Sequence, residues 1–235
     1  MALSRGTPFS VATRYAGLTK APGLFISPTV AQNVQKSWNN YHLFLSLSMP
    51  TGYKIEDQEG LYFFTLQIVG WIDLFTRQIY RDIVIDNLKF CQNKKGLNLF
   101  GYIIMSNHIH LLAQSEYGKL SSVIRDFKSF TSKCFLEHIQ TERESRCEWM
   151  LKYFEFAAKK HKRNSNYQIW THENHAEHIY TEKFMAQKLE YIHSNPVRSG
   201  IVEKPEDYKY SSARNYADLD ALIDVELLML KWKTY

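Results

Sequence analysis

Leu97-Asn98-Leu99-Phe100-Gly101-Tyr102-Ile103-Ile104-Met105 and His108-Ile109-His110-Leu111-Leu112-Ala113-Gln114, parted only by Ser106-Asn107, decide the fold. Both runs are dominated by aliphatic and aromatic residues. A two-residue polar break between two such runs is the spacing of a β-hairpin. Residues two apart on a strand project to the same side. His108 and His110 therefore share one face, while Ile109 and Leu111 point into the core.

Outward from the hairpin, the elements follow in order. Upstream, Leu61-Tyr62-Phe63-Phe64-Thr65-Leu66-Gln67-Ile68-Val69 is short, aromatic and β-branched, and reads as a buried strand. Between the two lies Tyr80 to Lys94, whose Ile83, Ile85, Leu88 and Cys91 alternate with charges as in an amphipathic helix. Lys94-Lys95-Gly96 makes a basic, glycine-marked stop. Downstream, Leu120 to about Gln140 predicts a helix with Val123, Phe127, Phe130 and Cys134 on one apolar face. A polar, strongly charged stretch follows, within which Lys159 to Asn166 reads as an exposed basic loop. Tyr167-Gln168-Ile169-Trp170 predicts a short strand. Thr181 to His193 predicts a helix capped by Thr181 and halted near Pro196, because a residue before proline disfavours the α region. Asp218 to Lys233 reads as an amphipathic helix.

Strand, helix, strand, strand, helix, short strand, helix is the order of an α+β fold: a ferredoxin-like antiparallel sheet with helices packed on one face. It is flanked by an N-terminal extension and a C-terminal helix. The expected division is 1–48 as extension, 49–216 as the folded domain and 217–235 as a helical tail. Residues 1–48 have no sustained period beyond a short strand-like run at Leu43–Leu47. They read either as a disordered extension or as the product of a start codon placed upstream of Met49.

The totals exclude some classes. With 45% apolar residues among 235, the chain has material for a buried core. The net charge of +5 fits an anionic partner such as nucleic acid but decides little alone. Three cysteines with no close pair argue against a disulfide framework or a thiolate zinc site, and imply a reduced, cytoplasmic setting. No apolar run approaches the ~20 residues that a membrane span needs.

A bare His-x-His has two readings: two surface histidines on a half-exposed strand, or half of a metal site that needs a further ligand. Tyr191 and Asn195 are four apart and share a helix face, whereas His193 is turned about 200° from Tyr191. An amide oxygen suits Mg²⁺ or Mn²⁺. Equally, Tyr191 reads as a core aromatic and Asn195-Pro196 as a helix terminator. Lys188 shares the Tyr191 face, and reads as a phosphate contact or a solvated lysine. Arg125 and Lys128 on the second helix, and Lys159, Lys160, Lys162 and Arg163 in the basic run, have the same two readings. His172, His175 and His178 lack the cysteine or carboxylate companions of a zinc motif and read as surface histidines or as support behind the ligands.

The combination resembles a known family. Met105-Ser106-Asn107-His108-Ile109-His110, then Tyr191-Ile192-His193-Ser194-Asn195-Pro196-Val197-Arg198-Ser199-Gly200-Ile201-Val202, then Lys204-Pro205-Glu206-Asp207-Tyr208-Lys209-Tyr210-Ser211-Ser212-Ala213 resemble the REP-associated tyrosine transposases. These belong to the single-tyrosine, HUH-type insertion-sequence transposases. The likeness runs from about Gly60 to Tyr216, and Cys147 to Asn166 does not align with it. It implies that His108, His110 and Asn195 hold a divalent metal, Mg²⁺ or Mn²⁺, and that Tyr191 attacks DNA to give a 5′-phosphotyrosine and a free 3′-OH. Relatives often carry glutamine where Asn195 stands. The implied substrate is hairpin-forming single-stranded DNA, handled by a monomer or homodimer. Two other classes compete: a catalytically idle nucleic-acid-binding regulator of the same fold, and a hydrolase of small phosphoesters.

Overall fold

The computed structural model describes residues 54–141, 144–160 and 166–228, so the expected extension over 1–48, with its strand-like run, lies outside the described residues. Four strands form one sheet: β1 (Tyr62–Gln67), β2 (Leu97–Ile104), β3 (His108–Ser115) and β4 (Glu177–His178). Their order is β2-β3-β1-β4, with each neighbouring pair antiparallel, which is the ferredoxin-like arrangement. The β2–β3 turn is as tight as its sequence implies, since Met105 N–H donates to the His108 carbonyl at 2.9 Å across Ser106-Asn107.

Helices α1 (Gln78–Lys95) and α2 (Leu120–Thr141) fill the two crossovers. Gly96 ends α1 in the left-handed conformation, and its N–H caps the Cys91 carbonyl. The buried stripe of α2 is Leu120, Val123, Ile124, Phe127, Thr131, Phe135 and Ile139. This corrects the apolar face expected there: Phe130 is exposed and Cys134 half-buried. Thr131 holds the position by its hydrogen bonds, donating to the Phe127 carbonyl at 2.8 Å and accepting the Trp170 indole N–H at 3.0 Å. Trp170 packs between the rings of Phe75, Phe127 and Phe135.

Two further elements differ from expectation. Cys147–Lys159 is a helix, α3, where the sequence showed only a charged stretch. Its core face is Met150, Phe154, Ala157 and Ala158, while Trp149, Tyr153 and Phe156 point outward and blur the period. The fourth strand is Glu177–His178 rather than 167–170. Residues 168–171 instead run alongside the end of β1 with a single bridge, Ile68 to Trp170, and bonds from Val69 N–H to the Ile169 carbonyl and Thr171 N–H to the Gln67 carbonyl.

The helix that carries Tyr191, α4 (Glu182–Arg198), begins as predicted with Thr181 accepting the Phe184 N–H at 3.2 Å. It does not halt before Pro196. Pro196 sits inside its final turn, where only the Ile192 carbonyl loses a partner and the helix ends two residues later. The helix packs against the sheet at Gly101, where a Cβ would stand 2.8 Å from Leu189 Cδ1. Gly101 pairs with Leu112, on the same side as His110 and His108. Thus α4 covers the histidine-bearing face, and the apolar face of Phe64, Leu66, Ile109 and Leu111 is left to α1 and α2, so helices flank both faces of the sheet where one was expected.

After α4 the chain returns to β2. Tyr210 and Ser212 exchange backbone bonds with Ile104 and Tyr102, and the Tyr208 hydroxyl donates to the Ile104 carbonyl at 2.7 Å. A short helix, α5 (Ala213–Tyr216), follows. The expected tail helix over 218–233 does not form across the described part: residues 217–228 are irregular. Asp218 is left-handed, Asn215 donates to the Ile223 carbonyl, and Glu226 N–H bonds the Leu99 carbonyl, so tertiary partners take the groups a helix would pair internally.

Replacing Thr131 by Val keeps the volume but strands the Trp170 N–H, which should cost about 1–3 kcal/mol of unfolding free energy in urea titrations. In a Trp170→Phe background the loss should shrink. Equal losses in both backgrounds would refute the pairing.

Candidate active site

β3 register sets His110 opposite Thr65 and Ile103, and His108 opposite Gln67. Each imidazole is oriented by its own neighbour. The Asn107 amide N–H donates to the Asp73 carboxylate at 3.1 Å, which decides how the amide faces, and its Oδ1 then lies 2.8 Å from His108 Nδ1. That network assigns the His108 proton to Nδ1 and leaves a lone pair on Nε2. His110 Nδ1 lies 3.0 Å from the Thr65 hydroxyl. Its Nε2 is buried without a hydrogen-bond partner, on a residue only 3% exposed. Burial pushes His108 down to about 4 and His110 well below the usual histidine value, so both rings are neutral at pH 7.

α4 presents Tyr191 edge-on to His110, with ring centroids 5.2 Å apart, and to Phe63 at 6.0 Å. Arg198, seven residues on, lays its guanidinium over the Tyr191 ring at 4.8 Å. Asn195 is buried one turn from Tyr191. His193 faces away, as its helical angle requires: Nε2 is 2.9 Å from the Ser212 hydroxyl and the ring leans on Tyr216. Among the described residues no three His, Cys, Asp or Glu side chains gather as a metal-binding group. The orphaned Nε2 of His110 and the oriented Nε2 of His108 fit two ligand positions of a divalent cation, which would draw a third ligand from a neutral side chain or from outside the described residues.

The cations expected to meet DNA are placed less uniformly. Lys188 pairs with Glu177 at 2.7 Å and lies over the rings of Phe63 and Phe184. Lys128 is turned inward, its ammonium donating to the Thr171 carbonyl and to Asn174 Oδ1, and burial lowers it to about 8. That inward commitment corrects its reading as a surface contact. Arg125 is exposed beside Asp126. Lys159 ends α3 paired with Glu155, so the helix takes the first residue of the expected loop, and Lys160 caps it with its ammonium over the Phe156 ring. Lys162 and Arg163 lie outside the described residues. Of the three spaced histidines, His178 stacks on Tyr62 at 4.6 Å, and His175 lies 3.8 Å from Glu173.

Sequence reasoning missed Thr65, Asn107, Asp73 and Arg198. Asn107 adjoins His108 and Arg198 is two helical turns from Tyr191, so spacing alone would have found both. Thr65 and Asp73 become visible only through strand register and the fold.

The family described as "Transposase IS200 like" matches residues 72–195, just over half of the chain and a span that holds His108, His110, Tyr191 and Asn195. Among solved structures, one described as the REP-associated tyrosine transposase bound to a REP hairpin aligns with a TM-score of 0.47 and 18% identity, over 80% of this chain and 99% of that one. No curated protein matches. The cysteines Cys91, Cys134 and Cys147 are free, and no helix of the described residues is long and apolar enough to cross a membrane.

The buried titratable groups give the fold a defined acid response. His108, His110 and His193 are all lowered by burial, against 6.5 when exposed. Below that value the unfolded chain takes up protons that the folded chain refuses, so stability that is complete above pH 6.5 falls as pH drops toward 4. Glu144 is buried, which alone would raise it, but Arg146 and Arg77 outweigh burial and hold it at about 2. Its contribution, present above 4.5, is lost as pH falls toward 2. Urea midpoints in chelator should decline continuously from pH 6.5, and His193→Gln should flatten the upper limb. A level profile between pH 6.5 and 4.5 would contradict this.

Proposed function

We propose, since this chain belongs to the IS200-like transposase family, that it cleaves and rejoins single-stranded DNA through a covalent 5′-phosphotyrosine on Tyr191. His108, His110 and Asn195 would hold a divalent ion, Mg²⁺ or Mn²⁺. The observation that carries the reading is the unpartnered, buried Nε2 of His110 with the ring of Tyr191 edge-on to the same imidazole at 5.2 Å. A nitrogen that is buried and bonded to nothing costs free energy, and a ligand that takes its lone pair removes the cost.

The ion would supply Lewis-acid chemistry, neutralising charge on a nonbridging phosphate oxygen. The chain's own residues do the rest. With the Nδ1 proton of His108 held by Asn107, and Nδ1 of His110 turned to the Thr65 hydroxyl, both Nε2 atoms face away as candidate donors of electron pairs. Low proton affinity keeps them from being lost to protonation near neutral pH. Arg198 stacks on the Tyr191 ring, fixing the ring against rotation and bringing a positive charge to where the phenol meets the phosphodiester. The Tyr191 oxygen forms the new bond to phosphorus, and the 3′ oxygen departs as a hydroxyl. Because the phosphoryl group stays on the enzyme, a DNA hydroxyl can later reverse the step, so cleavage and rejoining share one site. DNA of hairpin-forming single strands is the proposed partner; Arg125, exposed beside Asp126 on α2 behind the histidine-bearing face, would reach only a strand that wraps past the site. Lys188 would need to open its pair with Glu177 to join it.

Incubating the chain with hairpin-bearing single-stranded oligonucleotides and Mg²⁺ or Mn²⁺ should trap a protein–DNA adduct that survives denaturation. Tyr191→Phe should abolish the adduct and leave oligonucleotide affinity within about threefold. His110→Ala should slow adduct formation by about 100-fold or more. An adduct that persists in Tyr191→Phe would remove Tyr191 from its role. Binding without any adduct in the unaltered chain would favour the idle regulator.

A further inference from the structure

α3 carries more exposed aromatic surface than its packing accounts for. Trp149, Tyr153 and Phe156 are 48%, 40% and 55% exposed. At about 100° per residue they fall within roughly 60° of one another around the helix. The core face of the helix is separate, at Met150, Phe154 and Ala157. Lys160 extends the row, its ammonium 4.5 Å above the Phe156 ring.

The row leads to the histidines. Tyr153 lies against Gly70, close enough that any Cβ there would collide with its ring, and Gly70 is left-handed at φ 65°. The next residue, Trp71, is also left-handed at φ 56°, a conformation that a bulky side chain adopts only when its surroundings impose it. The turn nevertheless holds the indole outward, 60% exposed, and edge-on to His108 at 6.3 Å. Asn107, which orients His108, also contacts the Trp71 carbonyl at 3.5 Å.

We propose that Trp149, Tyr153 and Phe156, continued by Trp71, form a track on which the unpaired bases of single-stranded DNA stack as the strand approaches His108. The inference rests on the DNA-cleaving reading above and adds a binding surface to it. Three features of the row select a single strand as occupant. The row is continuous with the candidate site through Gly70 and Trp71. A cation lies over its outer ring, as suits a polyanion. Axial steps of about 4.5–6 Å along a helix exceed the 3.4 Å rise of stacked duplex bases and match bases spread along an extended strand. Stacking on aromatic rings holds bases of any sequence, so the track would set affinity and path rather than cleavage position.

The test uses the full chain in chelator, so that no adduct forms, with two fluorescent probes: an oligothymidylate of about 15 nucleotides and an abasic strand of equal length. The unaltered protein should bind the oligothymidylate at least about tenfold more tightly. Trp71→Ala, and separately the pair Trp149→Ala with Phe156→Ala, should each weaken the oligothymidylate by about 5- to 100-fold and change the abasic strand by less than about twofold. Trp71→Phe should recover most of the affinity. Equal losses on both strands, or none on either, would overturn the track. So would variants that change only self-association in sedimentation, which would assign the row to contact between copies. An unaltered chain that discriminates the two probes yet forms no adduct with metal would sink the cleavage chemistry and leave the track standing.

Discussion

A neutral imidazole has one nitrogen that donates and one that accepts, and burying it obliges the fold to answer for both. Much of the described architecture follows from meeting half of that demand for two histidines on one strand. The tight Ser106-Asn107 turn brings Asn107 to His108, and Asp73 turns the Asn107 amide the right way round. β1 pairs with β3 in the register that sets Thr65 beside His110. A slip of one residue in that register would move the hydroxyl to the opposite face. The absence of a side chain at Gly101 lets α4 close over the sheet and makes the remaining nitrogen of His110 dry as well as unbonded.

The hairpin, the two crossover helices and the cap of α4 were legible because each is written in local residues: alternation in β3, Gly96 after α1, Thr181 before α4. The antiparallel order followed from the sequence of elements. What escaped was decided by contacts distant in the chain. Trp170 looks like a strand residue and is a core plug, because Thr131, 39 positions away, receives its indole N–H. α3 was invisible as a helix because Trp149, Tyr153 and Phe156 face outward and double the number of apolar positions. At the site, the 200° turn that separates His193 from Tyr191 was readable from helical geometry, and Ser212 is what receives it. Lys128 shows the reverse: a helix-surface spacing that looks solvent-facing is drawn inward by Thr171 and Asn174.

The run Lys204 to Ala213 has a physical role of its own. β2 borders the sheet, and an unpaired border strand invites other chains. Tyr210 and Ser212 take up its backbone groups near Tyr102 and Ile104, Tyr208 adds a hydroxyl, and Glu226 reaches Leu99. Ser212 also holds His193 on the far side of α4. One short segment thus closes the sheet and pins the helix that faces it.

That pinning bears on which chain holds Tyr191 against the histidines. α4 is joined to β4 through Ile179, Tyr180 and Thr181 alone, and beyond its C-terminus the same chain is bonded into β2. To lend Tyr191 to a second copy, a chain would have to peel β4 from β1 and release the β2 border together. Tethered at both ends, the helix meets its own histidines at a high effective concentration. Within one chain, then, Tyr191 and the histidine pair are held together by two anchors at once.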